Sequence, residues 1–230
     1  MKKADIADLK NQIKQILNQK ITVVEKSSHV CQSQIAKSNK VFVVKCSVMF
    51  VDMRDSTKMT EKLKAKEMTK IYKSLSKIVA YAASSNNGYI EQIQGDGYLC
   101  TFYDSRELAS GGNAINAAID ILTYIDSAYN EVADCNHQIN CGIGIRTGNI
   151  YVANLVPKGE NDFNAPAFPS NITNTASKMC DVADGGEILF DDMTYREIRN
   201  KEIKKNAKQL NKKAVGLCKA IKGIVWRIEQ

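Results

Sequence analysis

The stretch SVMFVDMRDST, residues 47–57, is an apolar run that breaks into polar residues at Asp52. A second stretch, YIEQIQGDGYLCTF at residues 89–102, reads as two strands that turn back on each other at Gly-Asp-Gly around Asp96. Carboxylates at the ends of two neighbouring strands can converge on hard cations, which in turn hold polyphosphate oxygens. Taken alone, each aspartate is better explained as a helix N-cap or as ordinary turn chemistry. Together they favour a metal site.

The composition is that of a soluble globular protein, with 44% hydrophobic and 25% charged residues among 230. This length fits one compact domain with an appendage. No apolar stretch approaches the roughly 20 residues that a membrane helix needs. The start, MKKAD, lacks the apolar segment of a signal peptide. We therefore expect a cytoplasmic protein without a membrane span.

The cysteines and the net charge exclude two further classes of site. Seven cysteines form an odd set without a Cys-x-x-Cys pair, which predicts buried free thiols in a reducing compartment. Zinc is not expected, because His29 and His137 lack ligand spacing. The net charge of +7 suits an anionic ligand, but the basic stretch 201–213 carries no interleaved aromatic residues. We predict a solvated basic segment and no nucleic-acid partner.

Hydrophobic periodicity predicts the order of the elements. A helix near residues 4–19 is amphipathic and should pack on the domain or on a partner subunit. Residues 21–39, mostly polar and irregular after a short apolar run at 21–24, read as a linker. We therefore divide the chain into an N-terminal helix with its linker, 1–39, and a domain, 40–230. Within the domain the predicted order is βαββαββαββ, with strands at 41–51, 89–94, 97–102, 139–145, 150–152, 187–190 and 223–228, and helices from Thr57 or Thr60 to about 85, at 109–129 and at 171–183. This order predicts an α+β sandwich with helices on one face of a largely antiparallel sheet.

Four motifs, by their order and spacing, resemble those of the class III nucleotidyl cyclases. They are FVDM at 50–53, GDG at 95–97, GIGIRTG at 142–148 and NTASKM at 174–179. The resemblance covers about residues 41–228. It implies a ferredoxin-like βαββαβ core with additional strands, a head-to-tail homodimer with active sites at the interface, and a lyase that cyclises a ribonucleoside triphosphate.

The resemblance assigns the metal ligands. Asp52 and Asp96 match the two metal aspartates, and Met53 would lend its backbone carbonyl to one of two divalent cations, Mg²⁺ or Mn²⁺. Two such cations can activate the ribose 3′-hydroxyl and neutralise the triphosphate during attack on the α-phosphorus.

Contacts to the phosphates also follow from the resemblance. The turn at 53–57 would offer backbone N–H groups to the β- and γ-phosphates. Asp55 replaces the glycine usual there, and it either faces away or caps the helix. Near the C-terminus Lys219 and Lys222 both qualify as the lysine that holds the triphosphate. The remaining substrate contacts implied are Phe50, Arg54, Ser56, Thr57 and Gly95.

Two residues of the fourth motif match the catalytic positions of the family. Asn174 matches the transition-state asparagine, and Lys178 stands where an arginine is usual. A lysine can still neutralise the developing phosphorane charge, although it lacks the bidentate fork. The alternative for this pair is the polar face of an ordinary amphipathic helix.

Base recognition departs most from the family pattern. Gln92 occupies the position of a lysine in adenylate cyclases and a glutamate in guanylate cyclases, and Ala167 falls where a base-reading aspartate belongs. This pattern resembles the pyrimidine cyclases of bacterial Pycsar anti-phage defence, which make cyclic CMP or cyclic UMP for a separate effector. An adenylate cyclase with an atypical base pocket is the alternative. A catalytically inactive nucleotide-binding domain is another, kept open by Lys178.

Overall fold

A computed structural model describes residues 3–35, 39–155, 166–211, 217 and 223–230. The helices are α1 (Lys3–Leu17), α2 (Gln32–Ile35), α3 (Ser56–Lys62), α4 (Ala65–Ser85), α5 (Ser110–Tyr124), α6 (Asn171–Val182), α7 (Asp192–Glu197) and α8 (Lys201–Asn206). The strands are β1 (Thr22–Lys26), β2 (Lys40–Met53), β3 (Gly88–Gln94), β4 (Gly97–Phe102), β5 (Cys141–Asn154), β6 (Pro166–Ala167), β7 (Glu187–Asp191), β8 (Lys208–Gln209) and β9 (Val225–Glu229). A π-helical turn, Ile125–Asn130, follows α5, and a 3₁₀ turn spans Cys135–His137.

The sheet has β2 near its centre. Its main path runs β3-β4-β2-β5-β7-β9-β8, with β1 paired to β2 and β6 paired to β5. The elements β2, α4, β3, β4, α5 and β5 form a βαββαβ unit with the strand order of a ferredoxin-like core, so the predicted fold class is confirmed. Pairing is largely antiparallel, and only β1–β2 and β5–β7 are parallel among the described strands. The head-to-tail dimer stays a prediction.

Helices cover both faces of the sheet. Met49 and Val51 of β2 pack in one cluster with the apolar faces of α4 and α5. Val48, which points the other way, packs in a second cluster with Ala176 of α6. The prediction of helices on one face was therefore wrong for α6. The physical reason is that β2 and β5 are apolar on both sides, and each side must be covered.

The N-terminal segment contributes to the sheet. β1 pairs in parallel with the first half of β2, and Val30 and Ile35 are buried against that end of the sheet. The prediction of an irregular linker over 21–39 was wrong for these parts, because strand pairing between distant residues leaves no local signal. The division of the chain at residue 39 stays a prediction. The helix α1 is confirmed, but its apolar residues are exposed, for example Leu9 at 51% and Ile16 at 51%.

Several boundaries differ from those predicted. The long helix is split into α3 and α4, so Thr57 and Thr60 lie inside α3 and cap neither helix. β5 is one unbroken strand where two segments were predicted, and α7, α8, β6 and β8 were not predicted. Among the described cysteines, four are buried and free, whereas Cys31 and Cys135 are exposed. No helix in the described part of the chain is long and apolar enough to cross a membrane.

Candidate functional site

The two predicted metal aspartates lie at the same edge of the sheet. Asp52 is near the end of β2, where it pairs with Gly97 on one side and Gly142 on the other. Asp96 occupies the tight turn before β4, next to Gly95, whose φ of 64° is readily adopted only by glycine among common residues. Burial raises the pKa of Asp52, and the negative charge of Asp96 raises it further. The fold therefore places two carboxylates near each other at a cost in electrostatic energy.

This pair fits a divalent cation. Oδ2 of Asp96 is buried and makes no hydrogen bond to any described residue. A buried carboxylate oxygen without a partner is costly, and a cation would offset both that cost and the repulsion from Asp52. The described residues include no group of three or more His, Cys, Asp or Glu side chains that could hold a metal. Further ligands would be backbone carbonyls, water or phosphate oxygens, as is usual for Mg²⁺. The Met53 side chain is buried in the core, so only its backbone is available to the site.

A cleft of about 190 Å³ opens beside Asp52. It lies between the sheet and the last turns of α6. Its lining includes Phe50, Asp52, Gln92, Gln94, Leu99, Ser177, Cys180 and Asp181. Sequence reasoning missed Gln94, Ser177 and Asp181, although Ser177 and Asp181 follow Asn174 at helical spacing. Asp181 adds a further negative charge that raises the pKa of Asp52.

Arg54 lies between Asp52 and α6. One Nη of its guanidinium is 3.3 Å from Oδ2 of Asp52 and donates to the carbonyl of Cys180 at 3.1 Å. A Cβ added to Gly142 would come within 2.9 Å of this guanidinium, so the glycine makes room for it. Arg54 thus neutralises part of the charge of Asp52, and its predicted contact with substrate stays a prediction.

The turn after β2 explains why a glycine is usual there. Asp55 has a φ of 57° and a ψ of 18°, the left-handed conformation that glycine adopts without strain. Its carboxylate accepts from Lys58 at 2.5 Å and makes no side-chain cap. Of the two alternatives for Asp55, capping by its side chain is therefore wrong, and that it faces away from the phosphates stays a prediction. Ser56 and Thr57 form the start of α3, where the predicted phosphate contacts would lie.

The two predicted base-reading positions lie close together. Nε2 of Gln92 donates to the backbone carbonyl of Pro166 at 3.0 Å. Ala167 follows in β6, which pairs with the end of β5. Gln92 lines the cleft and Ala167 does not, although Ala167 follows directly the residue that Gln92 contacts. Residues 156–165 lie outside the described part of the chain.

The catalytic role of Asn174 and Lys178 stays a prediction. Asn174 and Lys178 are exposed on α6, whereas Thr175, Ala176 and Met179 of the same helix are buried. Neither residue lines the cleft beside Asp52. Lys219 and Lys222, the two candidates for the triphosphate lysine, lie outside the described residues.

Comparisons with known proteins agree with this fold. Residues 39–219 match the family model of the adenylate and guanylate cyclase catalytic domain. The adenylyl cyclase CyaB from P. aeruginosa has the same fold, with a TM-score of 0.65, 20% identity, and coverage of 83% of this chain and 96% of that one. The guanylate cyclase domain of RhGC from Catenaria anguillulae, crystallised with GTP, gives a TM-score of 0.62, 22% identity and coverage of 80% and 93%. An uncharacterized protein of Mycobacterium tuberculosis is 26% identical over 137 residues, which are 60% of this chain. The chain spans about a quarter of the length of that relative, 24%.

Proposed function

The chain belongs to the adenylate and guanylate cyclase catalytic domain family, and from this membership we propose that it is a lyase converting a ribonucleoside triphosphate to the 3′,5′-cyclic monophosphate and diphosphate. One observation carries the proposal. The unpartnered buried oxygen of Asp96 lies beside Asp52, whose pKa is raised, at the mouth of a cleft. Two neighbouring carboxylates, one with a buried oxygen that lacks a hydrogen bond, are electrostatically unfavourable without cations. Divalent cations bound to a triphosphate would remove this cost.

Each residue has a distinct task in this reaction. Asp52 and Asp96, with the backbone carbonyl of Met53, would hold two divalent cations, Mg²⁺ or Mn²⁺. When bound, these cations supply the Lewis acidity that lowers the pKa of the 3′-hydroxyl and offsets the charge of the triphosphate. The turn at 53–57 would offer backbone N–H groups to the β- and γ-phosphates, and Lys219 or Lys222 would add a positive charge.

We assign the transition-state contacts to a second copy of the chain. Asn174 and Lys178 are exposed in a single chain, and neither lines the cleft beside Asp52. A head-to-tail homodimer would bring them to the partner's aspartates, where the amide and the ammonium stabilise the pentavalent phosphorus. The exposure of both side chains supports this assignment, because an exposed polar pair is accessible to another subunit.

The preferred substrate is proposed to be a pyrimidine nucleotide, CTP or UTP. Gln92 offers a neutral amide with an NH2 donor group and a carbonyl acceptor, and Ala167 offers no side-chain hydrogen bond. The charged residues that the family uses for purines are absent from both positions. We further propose that the cyclic product is a second messenger of anti-phage defence, read by a separate effector. The resemblance of the loop at 51–57 to pyrimidine cyclases supports this role.

The decisive experiment incubates the pure protein with each of the four ribonucleoside triphosphates and Mn²⁺, and identifies the products by mass spectrometry. Cyclic CMP or cyclic UMP is expected, and Asp96→Asn serves as the inactive control. Cyclic AMP alone would refute the pyrimidine proposal. No cyclic product would refute the cyclase proposal and favour an inactive nucleotide-binding domain.

The base-reading role of Gln92 has its own test. Gln92→Lys should lower kcat/KM for the preferred base. The loss should correspond to about 1–3 kcal/mol of transition-state binding free energy, which is the cost of leaving a buried hydrogen-bonding group unsatisfied. Ile93→Lys is the matched control, because Ile93 is 56% exposed and adjacent in β3 but does not line the cleft. An equal effect of Gln92→Lys on all four nucleotides would show that this side chain does not discriminate.

A further inference from the structure

A β-bulge lies directly beside the predicted base-reading residue. β3 pairs with β4 regularly up to Ile90 opposite Cys100, and pairing resumes with Gln92 opposite Leu99. Glu91 is therefore the extra residue. Adjacent residues of a regular strand point to opposite faces, and a bulge allows both to point to one face. Here Glu91 contacts Thr101 while Gln92 lines the cleft with Leu99, and both side chains lie on the same face of the sheet.

Glu91 is buried in a polar and aromatic cluster. Its side chain is 7% exposed and accepts hydrogen bonds from Thr101 Oγ1 at 2.5 Å and from Nε2 of His29 at 3.1 Å. The His29 ring stacks on Tyr89 with centroids 3.9 Å apart and meets Tyr103 edge-on at 5.7 Å. A carboxylate at this depth is tolerated only with such partners. The cluster thus fixes Glu91, and with it the bulge.

We propose that Glu91, held by His29 and Thr101, is a positioning residue that sets base selectivity by keeping Gln92 turned toward the cleft. The inference rests on the proposed function, and it adds a residue to which that function gave no role. Without the hydrogen bonds from His29 and Thr101 to Glu91, β3 can pair with β4 in regular register. A slip of one residue would turn Gln92 to the opposite face and break its hydrogen bond to Pro166. Selectivity among bases would then fall, whereas the carboxylates Asp52 and Asp96 would be unaffected.

The test compares Glu91→Ala with the conservative Glu91→Gln. The readout is the ratio of kcat/KM for the preferred nucleotide to that for the next best. Glu91→Ala should lower this ratio about tenfold, because a misplaced amide no longer distinguishes hydrogen-bonding edges. Glu91→Gln can still accept from Thr101 and His29, and it should keep the ratio within about twofold. His29→Ala changes a less buried residue and should lower the selectivity ratio by an intermediate amount. It replaces Glu91→Ala as the test variant if Glu91→Ala does not fold.

A matched control separates positioning from general destabilisation. Glu197 is also a largely buried carboxylate, 15% exposed, which accepts from Lys45 at 2.7 Å and from the backbone of Gly111 at 2.7 Å, and it does not line the cleft. Glu197→Ala should lower the Tm and leave the selectivity ratio unchanged. An equal fall of the ratio in Glu197→Ala and Glu91→Ala would overturn the inference, because instability alone would then explain both.

A second measurement does not depend on turnover. The side-chain amide resonances of Gln92, assigned by their loss in Gln92→Lys, should shift in Glu91→Ala and stay in place in Glu91→Gln. If the unaltered protein discriminates among bases and Glu91→Ala discriminates equally, the inference is wrong and the proposed function stands. If the unaltered protein makes no cyclic nucleotide, the proposed function fails and the selectivity role of Glu91 fails with it.

Discussion

Replacement of Gly144 by alanine is expected to push α6 away from the sheet. A Cβ at this position would lie 2.2 Å from the carbonyl oxygen of Ala176 and 2.3 Å from the amide nitrogen of Cys180, both backbone atoms of α6. Because backbone cannot rotate out of the way as a side chain can, the whole helix must shift by about 1 Å to reach ordinary contact. Overpacking of this kind costs about 1–3 kcal/mol. Reduced entropy of the unfolded chain returns about 0.4–1 kcal/mol.

The net loss for Gly144→Ala is therefore about 1 kcal/mol, which for a chain of this size lowers the Tm by about 2–4 °C. Urea and thermal unfolding measure the change. Gly223→Ala is the matched control, because a Cβ there meets no atom of the described residues within 4 Å, and its effect should stay within about 0.5 kcal/mol. The same shift would move Asn174 and Lys178, so turnover should fall as well. Equal stability of the two variants would refute the close contact between β5 and α6.

Asp96→Asn should abolish turnover without lowering the free energy of unfolding, because it removes one of two like charges; a parallel loss of activity and folded protein would indicate a structural role. The pKa of Asp52 is raised in the folded protein, so Asp52 contributes stability at low pH that is lost as the pH rises from the ordinary carboxyl pKa of 3.8 through the raised pKa. Asp52→Asn should remove this pH dependence, and unfolding measured at a series of pH values tests it. Asp55→Gly should raise the free energy of unfolding by about 0.5–1 kcal/mol, since φ is 57°, whereas Asp55→Ala should give no gain. Mixing Asp52→Ala with Asn174→Ala should restore up to half the native activity per heterodimer, and subunit exchange without any return of activity would contradict the shared site.

The parts of the fold that the sequence could predict are those with local signals. Asp52 and Asp96 were located because an apolar run breaks at the first and a glycine-rich turn holds the second. Alternation and helical spacing placed most strands and helices within a few residues. The split between α3 and α4 was missed, because the hydrophobic spacing continues across Lys64.

The parts that could not be predicted depend on distant residues. Pairing of β1 with β2 and the contact between His29 and Glu91, 62 residues apart, leave no local pattern. The face on which α6 packs depends on the missing side chain of Gly144, whose role is visible only once the helix is in place. A buried glutamate such as Glu91 reads in the sequence as an ordinary exposed residue of a strand.

The contact between α6 and Gly144 also bears on how such a domain can evolve. Because the helix backbone sits directly on the strand, its position does not depend on the residues of its outer face. Lys178 can therefore stand in place of an arginine without any repacking beneath it. We expect substitutions at Asn174 and Lys178 to alter chemistry while leaving the architecture intact, whereas a single methyl group on the strand would disturb both. Proteins of this fold could thus change their chemistry by substitutions on the exposed face of α6, while the contact with Gly144 keeps the position of the helix unchanged.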